Sequence, residues 1–566
     1  LGRAAQELVQ GSIVAVKGLG GFHLACAADD ACAISRLRAL KKRPHKPLAV
    51  MVPDLEAARC VAHPRPEDEA WLEGWIKPIV LIAKRDGALP ESLAPDTSLL
   101  GLMLPYTPLH VLLLKRYRQL GQLASQERPT ALVMTSGNRA SEPICLGNRE
   151  AIASLSGLAD GFLLHNRDIL LRCDDSVLRP RQEAAPPLMY RRARGFTPDP
   201  VSLAAAGAPV LGLGPEVKAT LCLTKGDKAY VSQHIGDLTS VETLEFYHEL
   251  LAHFQKLLRI KPQLVAADLH PDYMSTRIAK EFTDTPVVSV QHHLAHILAV
   301  LAENRYQDPA LGLALDGTGL GEDGTLWGGE LLLVDPGQGS SLRLAHCCPA
   351  GLPGGSKAVE EPWRMALSYL HAIGIKDLGS LGPLPAPSKQ AQAMVAEMLG
   401  KDFNTPKTTS CGRLFDAVSA LLGLCGTASY EGQAAVRLES IQDSREKAVY
   451  PCPVDASRSP AILDTLTLFE AVFRDWKKGA APGSISRRFH LGLAQGLADL
   501  ALAFSRKTGL SSVALSGGVM QNETLAQELC RRLNRLGLTP LLHLQLPPND
   551  ACISLGQAVY ARLLAS

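Results

Sequence analysis

Through the first 182 residues, short apolar runs alternate with stretches of helical periodicity. Residues 4–8 open a helix, residues 13–16 read as a strand, and residues 31–41 carry apolar side chains at helical spacing. Residues 48–52, 79–83 and 131–135 are further short apolar runs of the kind that form buried strands. Residues 183–209 are then rich in Pro, Ala and Gly and mark a domain boundary. From the pattern we expect a first domain over 1–190, a linker over 191–209 and a second domain over 210–566.

After residue 210 the rhythm changes. VLGLGPEVKATLCLTKGDKAYVSQHIGDL (210–238) reads strand, turn, strand, with residues 225–227 at the hairpin tip. A similar phrase returns at LGLALDGTGLGEDGTLWGGELLLVD (311–335), again with Gly-rich turns between apolar strands. Two such units, each followed by helical sequence, predict two related lobes facing each other across a cleft. The plainer alternative is two unrelated hairpins in a mixed sheet.

Length adds support for several packed units, since 566 residues is three to four times a typical domain. Lys plus Arg number 58 against 56 Asp plus Glu, a net charge of +2, which argues against attachment to nucleic acid by bulk charge. Hydrophobic residues at 46% and charged residues at 20% exclude a mainly disordered chain. The 13 cysteines include no C-x-x-C, so neither a zinc ribbon nor a disulfide framework is expected. No window approaches the roughly 18 apolar residues of a membrane span, and no signal segment is visible. A cytoplasmic protein is expected, and one that begins inside a longer chain.

The strongest local chemistry is QHHLAH, residues 291–296, at the head of an apolar helical run. His292 and His296 are four apart, so on a helix they share a face and can grip one metal ion. A His-rich helix start is the plainer reading, because the Glu of H-E-x-x-H is missing. Two imidazoles on a divalent ion call for carboxylates, and Asp316 and Asp550 each stand at a strand end or turn. Asp316 precedes Gly317 in a G-T-G turn that lets backbone amides approach a phosphate. Gly517 and Gly518 follow an apolar strand and precede a helix, a second place for phosphate or adenosine.

In the first half, KKRPHKPLAV (41–50) sets several cations just before a strand. Such cations neutralise a triphosphate and its departing pyrophosphate, although a solvated basic helix end is the commoner meaning. Thr135, Ser136 and Asn138 lie in T-S-G-N directly after a strand, offering two hydroxyls, an amide and backbone N–H groups.

These pieces resemble known families when taken in order. GRLFDAVSALLGL (412–424), SGGVMQN (516–522), NDACISLGQA (549–558) and the H-x-x-x-H helix are similar to the cleft of the TsaD-type, Kae-like carbamoyl-transfer proteins. That resemblance implies iron or zinc on His292, His296 and Asp550, and adenylate on Gly412, Asp416 and Asn522. Asp316 is added by likeness to antibiotic O-carbamoyltransferases. K-x-R (Lys41, Arg43) followed by T-S-x-N (Thr135, Ser136, Asn138) resembles the YrdC/Sua fold, whose members make a carbamoyl-type adenylate from ATP. Its usual P-T-x-T-x-Y-G-L opening is replaced here by VKGLGGFHLAC (16–26), which points to a substrate other than threonine.

A YrdC-like unit followed by a TsaD-like unit resembles the HypF family of carbamoyltransferases, which serve nickel–iron hydrogenase maturation. DLHPDYMSTRIA (268–279), LPGGSKAVEEPWRMA (352–366), RCDDSV (172–177) and YRRARGF (190–196) strengthen the likeness over the whole chain. The implied fold class is α/β, a YrdC-like α/β domain followed by a two-lobed actin-like ATPase (ASKHA) domain. The implied reaction uses ATP with Mg2+ and carbamoyl phosphate as donor, whose cleavage to carbamate belongs to an acylphosphatase-like domain not seen in these residues. Carbamate and ATP then give carbamoyl-adenylate and pyrophosphate, with Lys41, Arg43 and Ser136 doing the chemistry. The second domain passes the carbamoyl group to the C-terminal cysteine of HypE, the implied partner. Transfer to a small-molecule hydroxyl, a double-stranded RNA-binding module and an inactive scaffold are the alternatives; the HypF-like phrases and the +2 charge weigh against them.

Overall fold

The computed structural model describes residues 1–123, 129–140, 142–181, 185–375 and 384–565. The N-terminal sheet has, among the described residues, nine strands. Its middle is Val14–Lys17, Phe22–Ala27, Leu132–Ser136, Val50–Met51 and Leu99–Met103. Alternation along a strand sends successive side chains to opposite faces. Thus Phe22, Leu24 and Cys26 join Val133 and Leu102 under the helix Ala31–Lys41, through Ala33, Ile34 and Leu37. Ala25, Ala27 and Met134 face the other way, onto Gly2–Val9 and Pro108–Leu123. Each fully buried Leu or Val of these faces contributes about 1.5–3 kcal/mol.

Local signals set the ends. Asp30 accepts hydrogen bonds from the N–H groups of Cys32 and Ala33, capping Ala31–Lys41, and Lys42 leaves it in the left-handed region at φ 51°. The run 48–52, read as a full strand, pairs only over Val50–Met51. Residues 201–207, read from composition as linker, form a strand that pairs with the second sheet. Its Val201 and Leu203 are buried there, and the small residues that follow suited an edge strand as well as a linker.

The second half holds two sheets built on one plan. In one, Cys222–Val231 pairs antiparallel with Val210–Gly212, which lies parallel to Leu264–Asp268 and then Val287–Val290. The chain doubles back inside 222–231: Ser232 N–H donates to Leu221 O, and Gly226 sits at φ 57° in the expected tip. In the other, Leu326–Asp335 pairs antiparallel with Ala310–Leu320, which lies parallel to Ser512–Ser516 and then Thr539–Leu541. The hairpin-plus-two-parallel-strands order therefore occurs twice, as the repeated phrase predicted.

Between the sheets run the helices His292–Glu303 and Ile553–Leu564. The first is buried on almost every side and apolar apart from His292, His293, His296 and Glu303, as suits a helix shared by two lobes. Its Ala295 and Ala299 belong to the core of one sheet, and Leu294, Ile297 and Leu298 to that of the other. Gly556 lets the second helix cross it closely, since a β-carbon there would run into the Ala295 carbonyl. Among the described residues no helix is long and apolar enough to cross a membrane.

Candidate functional site

The structure brings His292, His296, Asp316 and Asp550 together. One ligand atom from each lies within 4.8 Å of all the others, and all four residues are buried. His292 Nε2 is 3.6 Å from Asp316 and 4.0 Å from Asp550; His296 Nε2 is 3.9 and 3.8 Å from the same pair. Neither Nε2 has a hydrogen-bond partner among the described residues. Two orphaned imidazole nitrogens converging on two carboxylates suit a borderline divalent cation such as iron or zinc.

The far sides of both rings are committed. Asp268 Oδ2 is 2.7 Å from His292 Nδ1 and can only accept, so that nitrogen carries the hydrogen and Nε2 the lone pair. His296 is oriented through a buried chain. Glu303 accepts from His543 Nδ1, His543 Nε2 accepts from Ser516 Oγ at 2.8 Å, and Ser516 Oγ accepts from His296 Nδ1 at 3.0 Å. Glu303 is itself anchored by the N–H groups of Gln545 and Leu546. Both rings are thereby oriented as ligands. Asp268 ends a buried strand much as Asp316 follows one, so its signal was visible; Glu303 and His543 have none.

Charge follows this geometry. Burial, and then the adjacent Asp316 carboxylate, push Asp550 up to about 7. Asp316 is held well below the usual range by His292 and His296 despite its burial. Burial lowers His296 to about 3, whereas Asp268 and Asp316 overcome burial and raise His292.

The glycines and the residues expected to hold adenylate lie around this cluster. Gly518 N–H donates to Asp316 Oδ1 at 3.0 Å, and Gly517, at φ 101°, turns the chain against Leu315 where a side chain would collide. Ser410 Oγ caps the helix Cys411–Leu421 and donates to the carbonyls of Asp316 and Gly317. Gly412 sits on that helix so close to Gly317 that a β-carbon would lie 3.0 Å from its Cα. Asp416, one turn on, pairs with Arg413 at 2.9 Å, and burial raises it to about 6. Asn522 lies at the same rim, but as a helix cap: its Oδ1 accepts from Leu525 N–H and its Nδ2 donates to His490. Only one of its amide hydrogens is left for a ligand.

The first-half residues also converge. Lys41 is buried and its Nζ donates to Ser136 O at 2.6 Å and to Asn138 O and Oδ1 at 2.9 Å. Ser136 Oγ donates to Asn138 Oδ1 at 2.8 Å, and Thr135 is buried one residue back in the strand. Burial, then Arg43 and Lys46, lower Lys41 to about 6; burial, then Arg191 and Arg43, lower Lys46 to about 8. Burial and Arg191 lower Arg43 as well. These cations crowd one another, and Asp174 is the acidic group that acts on all three. Such a cluster is organised for an anion.

The two sites are joined. Lys218, ion-paired with Glu431, lies within electrostatic reach of Asp550 and of Asp237, and Asp237 acts in turn on Lys46. Across the domain boundary, Asp96 accepts from Arg437 Nε and Gln433 Nε2, both at 2.7 Å. His45 meets Ser429 at 3.1 Å, and Arg181 pairs with Glu523 at 3.2 Å. None of the three pairings across the domain boundary carried a local sequence signal, because the partners stand more than 300 residues apart.

Comparison with known proteins assigns the same two halves. A family model described as telomere recombination, of the Sua5/YciO/YrdC type, matches residues 6–193. The HypF Kae1-like domain matches 205–303, and the second subdomain of the carbamoyltransferase Kae1-like domain matches 312–557. Carbamoyltransferase HypF2 of Cupriavidus necator is 47% identical, over 97% of this chain and 72% of its own length. Carbamoyltransferase HypF of Rhizobium leguminosarum is 42% identical, over 98% and 71%. Among solved structures, full-length HypF in a phosphate- and nucleotide-bound form superposes with a TM-score of 0.92 at 38% identity, covering 99% of this chain and 86% of that one. HypF of T. kodakarensis gives 0.91 at 35% identity, covering 99% and 73%.

Proposed function

The chain belongs to the HypF carbamoyltransferase family, and from that premise we propose that its two sites divide one carbamoyl transfer between them. The first forms carbamoyl-adenylate. A carbamate oxygen bonds to the α-phosphorus of ATP, supplied with Mg2+, as the bond to pyrophosphate breaks. Lys41, Arg43 and Lys46 hold the phosphates and the departing charge, and the Thr135–Asn138 loop positions the nucleotide. Carbamate derives from carbamoyl phosphate, the donor of the overall reaction.

The second site passes the carbamoyl group to a cysteine thiol. The acceptor sulfur bonds to the carbamoyl carbon, AMP leaves, and the thiol proton goes to solvent. The acceptor is the C-terminal cysteine of HypE. Gly412, Asp416 and the Gly317, Gly517 and Gly518 turns seat the adenylate, while Asn522 braces the turn and offers its remaining N–H. His292, His296, Asp316 and Asp550 would hold iron or zinc, which when bound polarises phosphate and carbonyl oxygens. The 13 cysteines are unpaired, which suits the reducing cytoplasm.

The observation that carries this reading is the pairing in one chain of an anion-seeking cluster with a cation-seeking one, joined through Lys218 and Asp237. Carbamoyl-adenylate is short-lived in water, which favours holding both steps in one chain. The test follows both halves at once: carbamate-dependent release of AMP and pyrophosphate from ATP, and transfer of labelled carbamoyl to HypE. AMP release without any labelled thiol would overturn the second half.

A further inference from the structure

One residue of the first domain reaches the turns of the second site. Tyr190 lies on the strand Leu188–Arg191, which pairs antiparallel with Val177–Arg179 and ends the nine-strand sheet. An edge strand leaves backbone groups in need of partners. The Tyr190 carbonyl finds one in the second domain, accepting from Asn549 Nδ2 at 3.3 Å. The Tyr190 hydroxyl donates to the Gln521 carbonyl at 3.2 Å. Burial, and then Glu439, raise the phenol, so it keeps the proton that it donates.

A tyrosine at a domain seam usually does no more than pack two surfaces together. The partners of this one stand closer to the chemistry. Gln521 ends the short turn Gly518–Gln521, and Asn522 follows as the cap of the helix Glu523–Arg535. A turn this short leaves its last carbonyl without an internal partner, and the Tyr190 hydroxyl supplies one. At the other end of the same peptide, Asn522 N–H donates to Val519 O at 3.0 Å. The peptide plane that carries Asn522 is therefore held once by its own turn and once by the first domain. Asn522 has one amide hydrogen left for a ligand, and the direction of that hydrogen follows this plane.

The second contact falls beside Asp550. Asn549 Oδ1 accepts from Ala551 N–H at 3.1 Å and caps the turn Asp550–Cys552, so the side chain that reaches Tyr190 also sets the start of that turn. Gly517 N–H donates to Pro548 O at 2.8 Å and ties the two turns to each other. One first-domain residue thus holds the residue before Asn522 and the residue before Asp550.

We infer that Tyr190 is a positioning residue of the second site, fixing Asn522 and Asp550 where the transfer step needs them. This rests on the reading of the second site as the seat of the adenylate. Tyr190 acts through Gln521 and Asn549. Without its hydroxyl the 521–522 peptide is free to tilt, and the spare amide hydrogen of Asn522 turns away from the nucleotide. The first domain so completes a site whose chemistry is not its own.

The test titrates AMP into the full chain in a Lys41→Ala background, which removes the first site's hold on nucleotide, and records the melting temperature of each variant. Tyr190→Phe should weaken AMP on the order of 10-fold, the loss of one buried hydrogen bond, and lower melting by no more than about 3 °C. Asp96→Ala, which loosens the domain contact away from these turns, should leave AMP affinity unchanged. Asn549→Ser keeps a cap for Ala551 N–H but is too short to reach Tyr190. It should weaken bound metal on the order of 10-fold in a chelator competition, and it carries the test if Tyr190→Phe does not fold. With Lys41 restored and HypE as acceptor, Tyr190→Phe should lower transfer turnover by a like factor at unchanged acceptor KM and unchanged pyrophosphate release. Unchanged AMP affinity in folded Tyr190→Phe, unchanged metal affinity in Asn549→Ser, or an equal AMP loss in Asp96→Ala would each overturn the inference and leave the second-site reading standing. AMP binding that Asp416→Ala does not weaken would overturn that reading itself.

Discussion

Lys41, Arg43 and Lys46 come from one helix end and the loop that follows it, and the Thr135–Asn138 segment that meets Lys41 ends one neighbouring strand. His292, His296, Asp316 and Asp550 come from three separate segments, brought together only where two lobes close on a shared helix. The first site is an excess of cations, Lys41 buried, Arg43 half-buried and Lys46 exposed, with Asp174 beside them. The second is a pair of carboxylates and a pair of imidazoles whose outer nitrogens are already spoken for. One is made to gather an anion, the other a cation. The difference teaches that neither cluster is stable at its full charge alone: Lys41 is lowered to about 6 and Asp550 raised to about 7, each by burial and by like neighbours.

The contrast breaks most visibly by removing one charge from each side. Asp316→Ala should lower bound metal by more than about 10-fold by elemental analysis and abolish transfer, leaving AMP formation intact. Lys41→Ala should reduce AMP formation on the order of 10²–10³-fold and leave metal content unchanged. Loss of both activities in either variant would mean the labour is not divided this way.

A smaller effect is expected one shell out. Asp268→Ala frees the His292 ring and should weaken metal affinity on the order of 10–100-fold in a chelator competition, with AMP formation untouched. Ser516→Ala should act in the same direction through His296.

Proton counting sharpens the comparison further. Asp550 is raised to about 7 and His292 is raised as well, so binding a cation near pH 6 should release a proton from each, with the Asp550 share fading above pH 7. Lys41 has the opposite sign. Burial and like charges lower its pKa to about 6 and a bound polyphosphate raises it, so ATP should bring proton uptake above pH 6. Calorimetry in buffers of different ionisation heat reads both, and Lys41→Met should erase the uptake alone. Equal signs for the two ligands would contradict the charge assignment.

The smallest effect lies between the sites. Asp96→Ala strands Arg437 and Gln433 at the domain contact and should cost about 1–3 kcal/mol of stability by thermal unfolding. Each half-reaction should survive, but less of the AMP formed should be matched by transferred carbamoyl, because adenylate escapes at the opened seam.

The sequence by itself determined the elements and the ligand types. Short apolar runs and helical spacing marked four of the nine described strands of the first domain and two of its helices, and the repeated strand–turn–strand phrase announced the duplicated lobes. His292 and His296 were legible because four residues along a helix is one turn, a purely local relation. Lys41 and Arg43 were legible for the same reason, standing where Pro44 stops a helix. Tertiary structure alone decided which carboxylates meet those imidazoles, that Glu303 and His543 orient His296 through Ser516, and that Tyr190 meets Gln521 and Asn549 across the domain seam. Those relations span tens to hundreds of residues. No periodicity encodes them, since they exist only once sheets have paired and two lobes have buried a common helix.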